Sequence, residues 1–419
     1  MSRRILLADA DAFFVAVARA ADPEGAGSAP LLIVGGWPGS RGVVCSASYE
    51  TRAHGVRSGM PISQALRLCP QAMCVPVPRN ACSEASRAIR RVLERFTPVV
   101  EGASIDEWYL DLTGTEALYA NAPLDATARR IRDAVRDATA MTVSVGGGSN
   151  KLIAKLAAER AKPSRSPDAH GVHVVPDGGE LEFMRSVALA EIPGIGPKLQ
   201  AKLREVGLVA VSDVLPHDLA TLARWVGAST AEWLHDRVRG VGRAEVEARA
   251  PAKQMSREET FDCDIADATR LASELRHLAC RVAADMRGEG LAARTVTVKL
   301  RTNDFTTRSA SRTLRESVES DRVVAETSLK LLEQLRREKN VPARLVGVAL
   351  SNLVAGRDAE QLSMFGPGGE SKEAPERAKD RELSRAVDKV REKFGDEAIR
   401  TGPPRRRQIG EKGARKPRD

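Results

Sequence analysis

Two apolar, strand-like runs far apart in the chain each carry carboxylates at an edge, so any fold must hold those acids at the rim of a core. The first is Leu6-Leu7-Ala8-Asp9-Ala10-Asp11-Ala12-Phe13-Phe14, and the second is Ser104-Ile105-Asp106-Glu107-Trp108-Tyr109-Leu110-Asp111. Residues 5–8 predict a short buried strand that stops at Asp9, because a carboxylate in mid-core carries a heavy desolvation cost. Asp106 and Glu107 are neighbours, and neighbours on a regular strand point to opposite faces. Both serve one centre only if a strand begins or bends there. Carboxylates so placed suit hard divalent cations, and a pair of cations about 3.5–4 Å apart is an apparatus for in-line phosphoryl transfer. For either cluster alone, a solvated turn or a helix cap is the alternative.

Composition narrows the partner. The 419 residues suffice for about three domains. Lys and Arg number 65 against 56 Asp and Glu, a net charge of +9 that favours a polyanion. The six cysteines show no CxxC spacing and no apolar signal segment opens the chain, which predicts a cytoplasmic protein with neither disulfides nor structural zinc. No apolar stretch reaches the roughly 20 residues of a membrane span.

Further signals lie between and beyond the acids. Ser48 suits a helix cap and Gly55 a helix end, which puts Tyr49 and Arg52 on one face, either gripping a triphosphate or merely packing at a surface. Residues 141–145 alternate like a strand and run through Gly146-Gly147-Gly148 into a helix capped by Ser149 or Asn150 and stopped by Pro163. Lys155 and Lys162 fall toward its end, where a lysine either reaches a phosphate or simply complements the helix dipole. Pro193-Gly194-Ile195-Gly196-Pro197-Lys198 reads as a helix-hairpin-helix that holds a DNA phosphate on backbone amides, or as an ordinary glycine-rich loop. Residues 295–301 predict a strand, and the stretch after it, which includes Arg308 and Arg312, suits a sugar-phosphate backbone or a solvated sheet face. Gln361-Leu362-Ser363-Met364-Phe365 is an apolar anchor in a polar, glycine-rich segment, suited to a partner's groove or present by chance. Residues 380–394 form an amphipathic pattern with Leu383, Val387, Val390 and Phe394 on one stripe, and a basic tail follows.

In order and spacing these motifs resemble the Y-family translesion DNA polymerases, most closely the bacterial DNA polymerase IV type. The resemblance rests on Asp9-Ala10-Asp11-Ala12-Phe13-Phe14, Ser46-Ala47-Ser48-Tyr49-Glu50-Thr51-Arg52, Ser104-Ile105-Asp106-Glu107, Asn150-Lys151 through Lys162-Pro163, and Pro193-Gly194-Ile195-Gly196. It implies an α/β multidomain right hand. The parts would be a ferredoxin-like palm (1–11 and 78–167), small fingers (12–77) and a helical thumb with the helix-hairpin-helix (168–240). A linker (241–250), an α/β little finger (251–353) and a flexible tail (354–419) would follow. It further implies low-fidelity, template-directed addition of dNTPs to a primer 3′-hydroxyl by a monomer using two Mg²⁺ ions. Asp9, Asp106, Glu107 and the Ala10 carbonyl would be metal ligands. Phe13, Phe14, Tyr49, Arg52 and Lys162 would meet the nucleotide, with Phe14 as the steric gate against a 2′-hydroxyl. Gly194, Gly196, Lys198, Arg308 and Arg312 would meet primer-template DNA, and Gln361, Leu362, Met364 and Phe365 would dock on the sliding clamp. Asp11 and Asp111 are expected to be structural.

Overall fold

The computed structural model describes residues 3–163, 170–247, 252–338, 341–355, 376–395 and 398–399. The chain divides into two compact units, residues 1–250 and 251–419.

The first unit runs β1 (Ile5–Ala10), α1 (Phe13–Ala21), β2 (Leu32–Gly35), β3 (Val44–Ala47), α2 (Tyr49–Ala53), α3 (Ile62–Leu68), β4 (Met73–Pro76), α4 (Arg79–Leu93), β5 (Val100–Gly102), β6 (Glu107–Asp111), α5 (Leu124–Thr139), β7 (Val143–Gly148), α6 (Lys151–Ala161) and β8 (Val172–Val174). Five helices follow: α7 (Glu180–Arg185), α8 (Pro197–Glu205), α9 (Val211–Val214), α10 (Leu219–Val226) and α11 (Ala228–Val238). The main sheet has the order β5-β6-β1-β7-β8. Its central strand β1 is buried along its whole length because both faces are covered. Leu6, Ala8 and Ala10 pack with Ile89, Leu93, Ile131 and Val135 of α4 and α5, whereas Ile5 and Leu7 meet Ala154 and Ala158 of α6. Asp9 shares the parity of Ile5 and Leu7 and therefore belongs to the α6 face.

Glycine sets how closely α6 lies on that face. A Cβ on Gly146 would sit 2.0 Å from the Ala158 nitrogen and 2.2 Å from the Ala154 oxygen, so only glycine lets the helix backbone rest on the strand. Asn150 starts the helix by accepting from the amides of Leu152 and Ile153 at 3.0 and 3.1 Å. The opposite side of α6, with Leu152, Ile153 and Leu156, joins the core of α7–α11. A smaller sheet, β3-β2-β4, packs on α3 through Ile33, Val44, Ile62 and Ala65. Two boundaries differ from expectation. β8, placed by pattern within the thumb segment, pairs in parallel with β7 as the edge of the main sheet, because three residues are too few to show a period. Residues 241–247, expected as a linker, lie on the main sheet's unit: Arg243 accepts from the Lys151 amide at 3.0 Å and Val246 packs beside Ile5 and Leu7.

The second unit contains β9 (Gln254–Ile265), α12 (Ala268–Gly288), β10 (Leu291–Thr302), β11 (Thr307–Val318), α13 (Asp321–Glu338), β12 (Ala343–Ala355) and α14 (Ala378–Phe394). Its antiparallel sheet, β11-β10-β12-β9, is covered on one face by α12 and α13. The expectation of a flexible tail over 354–419 is corrected for α14, which docks on this unit, and it docks by its polar side. Arg287, with 5 % of its side chain exposed, pairs with Asp388 at 2.7 Å and Asp321 at 2.9 Å, and Ser384 accepts from the Asp321 amide at 3.0 Å. Leu383 and Phe394 of the apolar stripe stay 63 % and 66 % exposed. The receiving surface is the polar N-terminal end of α13, which matches charge and hydroxyl rather than leucine.

Candidate active site

The strand pair β1/β6 builds the centre. Asp9 and Glu107 are directly opposed in the antiparallel register, which puts both side chains on the α6 face at close range. β6 begins at Glu107, so Asp106 stands just before the strand, where its carbonyl accepts from the Ala10 amide at 2.9 Å. Neighbouring acids can thus reach one centre without obeying strand alternation. Asp11 accepts from Ser144 at 2.7 Å, and Asp111 pairs with Arg3 at 2.9 Å.

Helix α6 answers the acids with lysines. Lys162 lies 3.0 Å from Asp9 and 2.6 Å from Glu159, and Lys155 holds both oxygens of Glu107 at 2.7 and 2.8 Å. Lys151 pairs with Glu101 at 2.5 Å and lies over the Tyr109 ring. Burial lifts the Asp9 carboxyl to about 6 even though Lys162 opposes the rise. Burial works against the Lys162 charge, but Asp9 and Glu159 outweigh it and hold the ammonium above its usual range. Burial, then Glu107, Glu101 and Asp9, push the Tyr109 phenol up. Sequence reasoning assigned no partner to Lys155. The signal was present, since Lys151, Lys155 and Lys162 recur at spacings that share a helix face.

A divalent cation suits this donor set. Asp9 is 6 % exposed and carries desolvation that one lysine does not offset, and all three acids are hard oxygen donors. Among the described residues no three acid, His or Cys side chains converge as a ready metal cage. Asp106 is turned to the Ser104 hydroxyl, which donates to it, and the two lysines engage the other acids.

The remaining predicted residues fall into separate places. Ser48 caps α2 by accepting from the Thr51 amide at 3.3 Å, and Gly55 follows the helix at φ 88°. Arg52 stacks 5.2 Å over Tyr49 and donates to the Ala47 carbonyl at 2.9 Å. Phe14 is half-buried, but Phe13 is 2 % exposed within the core beside it. The first turn of α1 uses the Phe13 ring as packing, so of the two rings only that of Phe14 is open to a nucleotide. Gly194, at φ 103°, rests against Trp233, Pro197 takes the first position of α8, and Gly194, Gly196 and Lys198 are exposed.

Arg308 and Arg312 require a correction. In register they oppose Leu300 and Val296, core residues of the helix-covered face, and Arg308 donates to the Leu335 carbonyl of α13 at 2.9 Å. The open face carries Thr295, Thr297, Lys299 and Arg301 of β10 with Thr307, Ser309, Ser311 and Thr313 of β11. Parity assigns the arginines to the helices and the hydroxyls to solvent. Gln361, Leu362, Met364 and Phe365 lie outside the described residues. No helix among the described residues is long and apolar enough to cross a membrane.

Two family models match the chain: impB/mucB/samB family over residues 8–159, and the impB/mucB/samB family C-terminal domain over residues 252–364. The chain is 34% identical to a DNA polymerase IV of Dehalococcoides mccartyi (strain CBDB1), over 96% of this chain and 97% of that protein. It is 38% identical to a DNA polymerase IV of Methanoculleus marisnigri, over 85% of this chain and 96% of that protein. Among solved structures, a Y-family DNA polymerase chimera matches with a TM-score of 0.73 at 27% identity, covering 84% of this chain and 99% of its own. An insertion ternary complex of Dbh DNA polymerase matches at 0.60 and 26% with the same coverage. With both family models matched and relatives aligned over nearly their whole length, the chain belongs to the impB/mucB/samB family, the Y-family DNA polymerases of DNA polymerase IV type.

Proposed function

We propose that this chain is a low-fidelity, template-directed DNA polymerase of translesion synthesis. The observation that carries the reading is the register pair Asp9–Glu107, with Asp106 at the strand start and Lys162 reaching over Asp9 from α6. Asp9, Asp106, Glu107 and the Ala10 carbonyl would hold two Mg²⁺ ions, which would supply activation of the primer hydroxyl and charge neutralisation at the leaving pyrophosphate. Lys162 then exchanges Asp9 for the triphosphate, which Tyr49 and Arg52 grip from α2; a lysine already tuned to one anion serves another. The Phe14 ring excludes a 2′-hydroxyl by volume. In this reading residues 1–11 and 78–167 together with β8 act as palm, 12–77 as fingers, the helices from α7 to residue 240 as thumb and 251–353 as little finger. The thumb turn at Gly194–Gly196 and Lys198 takes a duplex phosphate. Residues 361–365 dock on the sliding clamp, and the enzyme works as a cytoplasmic monomer.

Primer extension tests the reading. Purified protein with Mg²⁺, dNTPs and primed templates, undamaged or carrying a lesion, is expected to add template-complementary nucleotides on both. DNA binding without any extension would contradict it.

A further inference from the structure

At the tip of the β10/β11 hairpin, Phe305 occupies φ 61°, the left-handed region, and is 64 % exposed. A bulky residue pays a steric penalty there that glycine or asparagine would avoid. The turn is fixed around it: the Phe305 amide donates to the Thr302 carbonyl at 3.0 Å, the Thr302 amide donates to the Thr306 carbonyl at 3.0 Å, and Asp304 accepts from the Thr306 amide at 3.0 Å. Neither backbone fit nor burial accounts for a phenyl ring at this position.

A second irregularity meets the first. Arg301 pairs with Leu345 and Thr302 with Ala343, so Arg344 is the extra residue of a β-bulge in β12. Bulges re-aim a side chain, and this one carries the Arg344 guanidinium to 4.5 Å from the centre of the Phe305 ring. The result is a stacked pair of flat groups, one aromatic and one cationic, held at the end of a sheet whose open face carries hydroxyls, Arg301, and Lys299 paired with Glu258.

We infer that Phe305 and Arg344 form a stacking platform for unpaired bases of the template strand. The inference rests on the polymerase reading and adds a single-stranded DNA site to it. Paired bases hide their faces inside the duplex, so an exposed aromatic with a stacked guanidinium selects single-stranded nucleic acid. The neighbouring Thr297, Arg301, Thr307 and Ser309 row is suited to the backbone leading to those bases.

The test compares full-chain binding, by fluorescence anisotropy at fixed salt, to a primed duplex with a long single-stranded template overhang and to the same duplex with a blunt end. Phe305→Gly and Arg344→Ser are expected to weaken the overhang complex by roughly tenfold and leave the blunt complex unchanged. Phe305→Trp should retain the wild-type preference. Since glycine suits the turn, Phe305→Gly should unfold in urea at the wild-type midpoint. Equal losses on both DNAs, no loss on either, or a lowered midpoint that tracks the binding loss would overturn the platform. A wild type that binds neither DNA would overturn the polymerase reading and the platform with it.

Discussion

Replacing Gly146 by alanine tests whether the placement of α6 governs the active site. The added Cβ would fall 2.0 Å from the Ala158 nitrogen and 2.2 Å from the Ala154 oxygen. Ordinary contact needs about 3.4 Å, so helix and strand must part by more than about 1 Å. Both obstacles are backbone, and no rotamer change relieves them. Overpacking of this kind costs about 3 kcal/mol, the upper part of the usual range. The same displacement carries Lys155 and Lys162 off Glu107 and Asp9, where their contacts are 2.7 and 3.0 Å, and a misplacement of about 1 Å costs on the order of a hundredfold in rate. Urea unfolding and single-nucleotide incorporation kinetics read the two effects. Gly147→Ala is the control, since its Cβ meets only side-chain methyls of Leu6 and Val174, at 2.8 and 3.0 Å, and should cost about 1 kcal/mol with little change in rate. Adding Ala158→Gly should not rescue Gly146→Ala. Wild-type stability and rate in Gly146→Ala, or rescue by Ala158→Gly, would refute the reasoning.

Phe14→Ala should admit ribonucleotides, and an unchanged preference for dNTPs in a single-nucleotide assay would remove Phe14 from the gate role. Arg287→Leu leaves Asp321 and Asp388 with only the longer Arg391 contacts, at 3.8 and 3.9 Å, and should destabilise the second unit by about 3 kcal/mol, with α14 becoming susceptible to trypsin; persistent protection would show that other contacts hold the helix. Deleting residues 361–365 should abolish clamp-stimulated synthesis while basal extension stays intact, and equal loss of both would make the segment structural.

Much of the site was legible because its signals are local. Ser48 as a cap and Asn150 ahead of α6 follow from a side chain meeting nearby amides, and Pro197 at a helix start from its fixed φ and missing N–H. The acid clusters were legible as strand ends, but their union depends on the register Asp9–Glu107, a pairing between distant segments that no local pattern encodes. The same limit explains the misplaced arginines. Arg308, Ala310, Arg312 and Leu314 visibly alternate with Thr307, Ser309, Ser311 and Thr313, yet which set faces α13 is decided by pairing with β10. Two adjacent phenylalanines at a helix start look alike in sequence, whereas their angular separation on α1 sends the Phe13 ring into the core. For α14 the apolar stripe is real, but the surface beside it is polar, so the adjoining side of the helix, with Ser384, Asp388 and Arg391, docks, while Leu383 and Phe394 stay exposed.

In the proposed function Asp9, Asp106 and Glu107, set along the β1/β6 pair, carry out nucleotidyl transfer on bound DNA. The most direct measurement is single-turnover incorporation of one complementary dNTP by wild type and Asp106→Ala, with primed-DNA affinity measured in parallel. Wild type is expected to show Mg²⁺-dependent incorporation, and the variant to lose incorporation at nearly unchanged DNA affinity. Incorporation that survives Asp106→Ala, or that is lost only together with DNA binding, would contradict the proposed function.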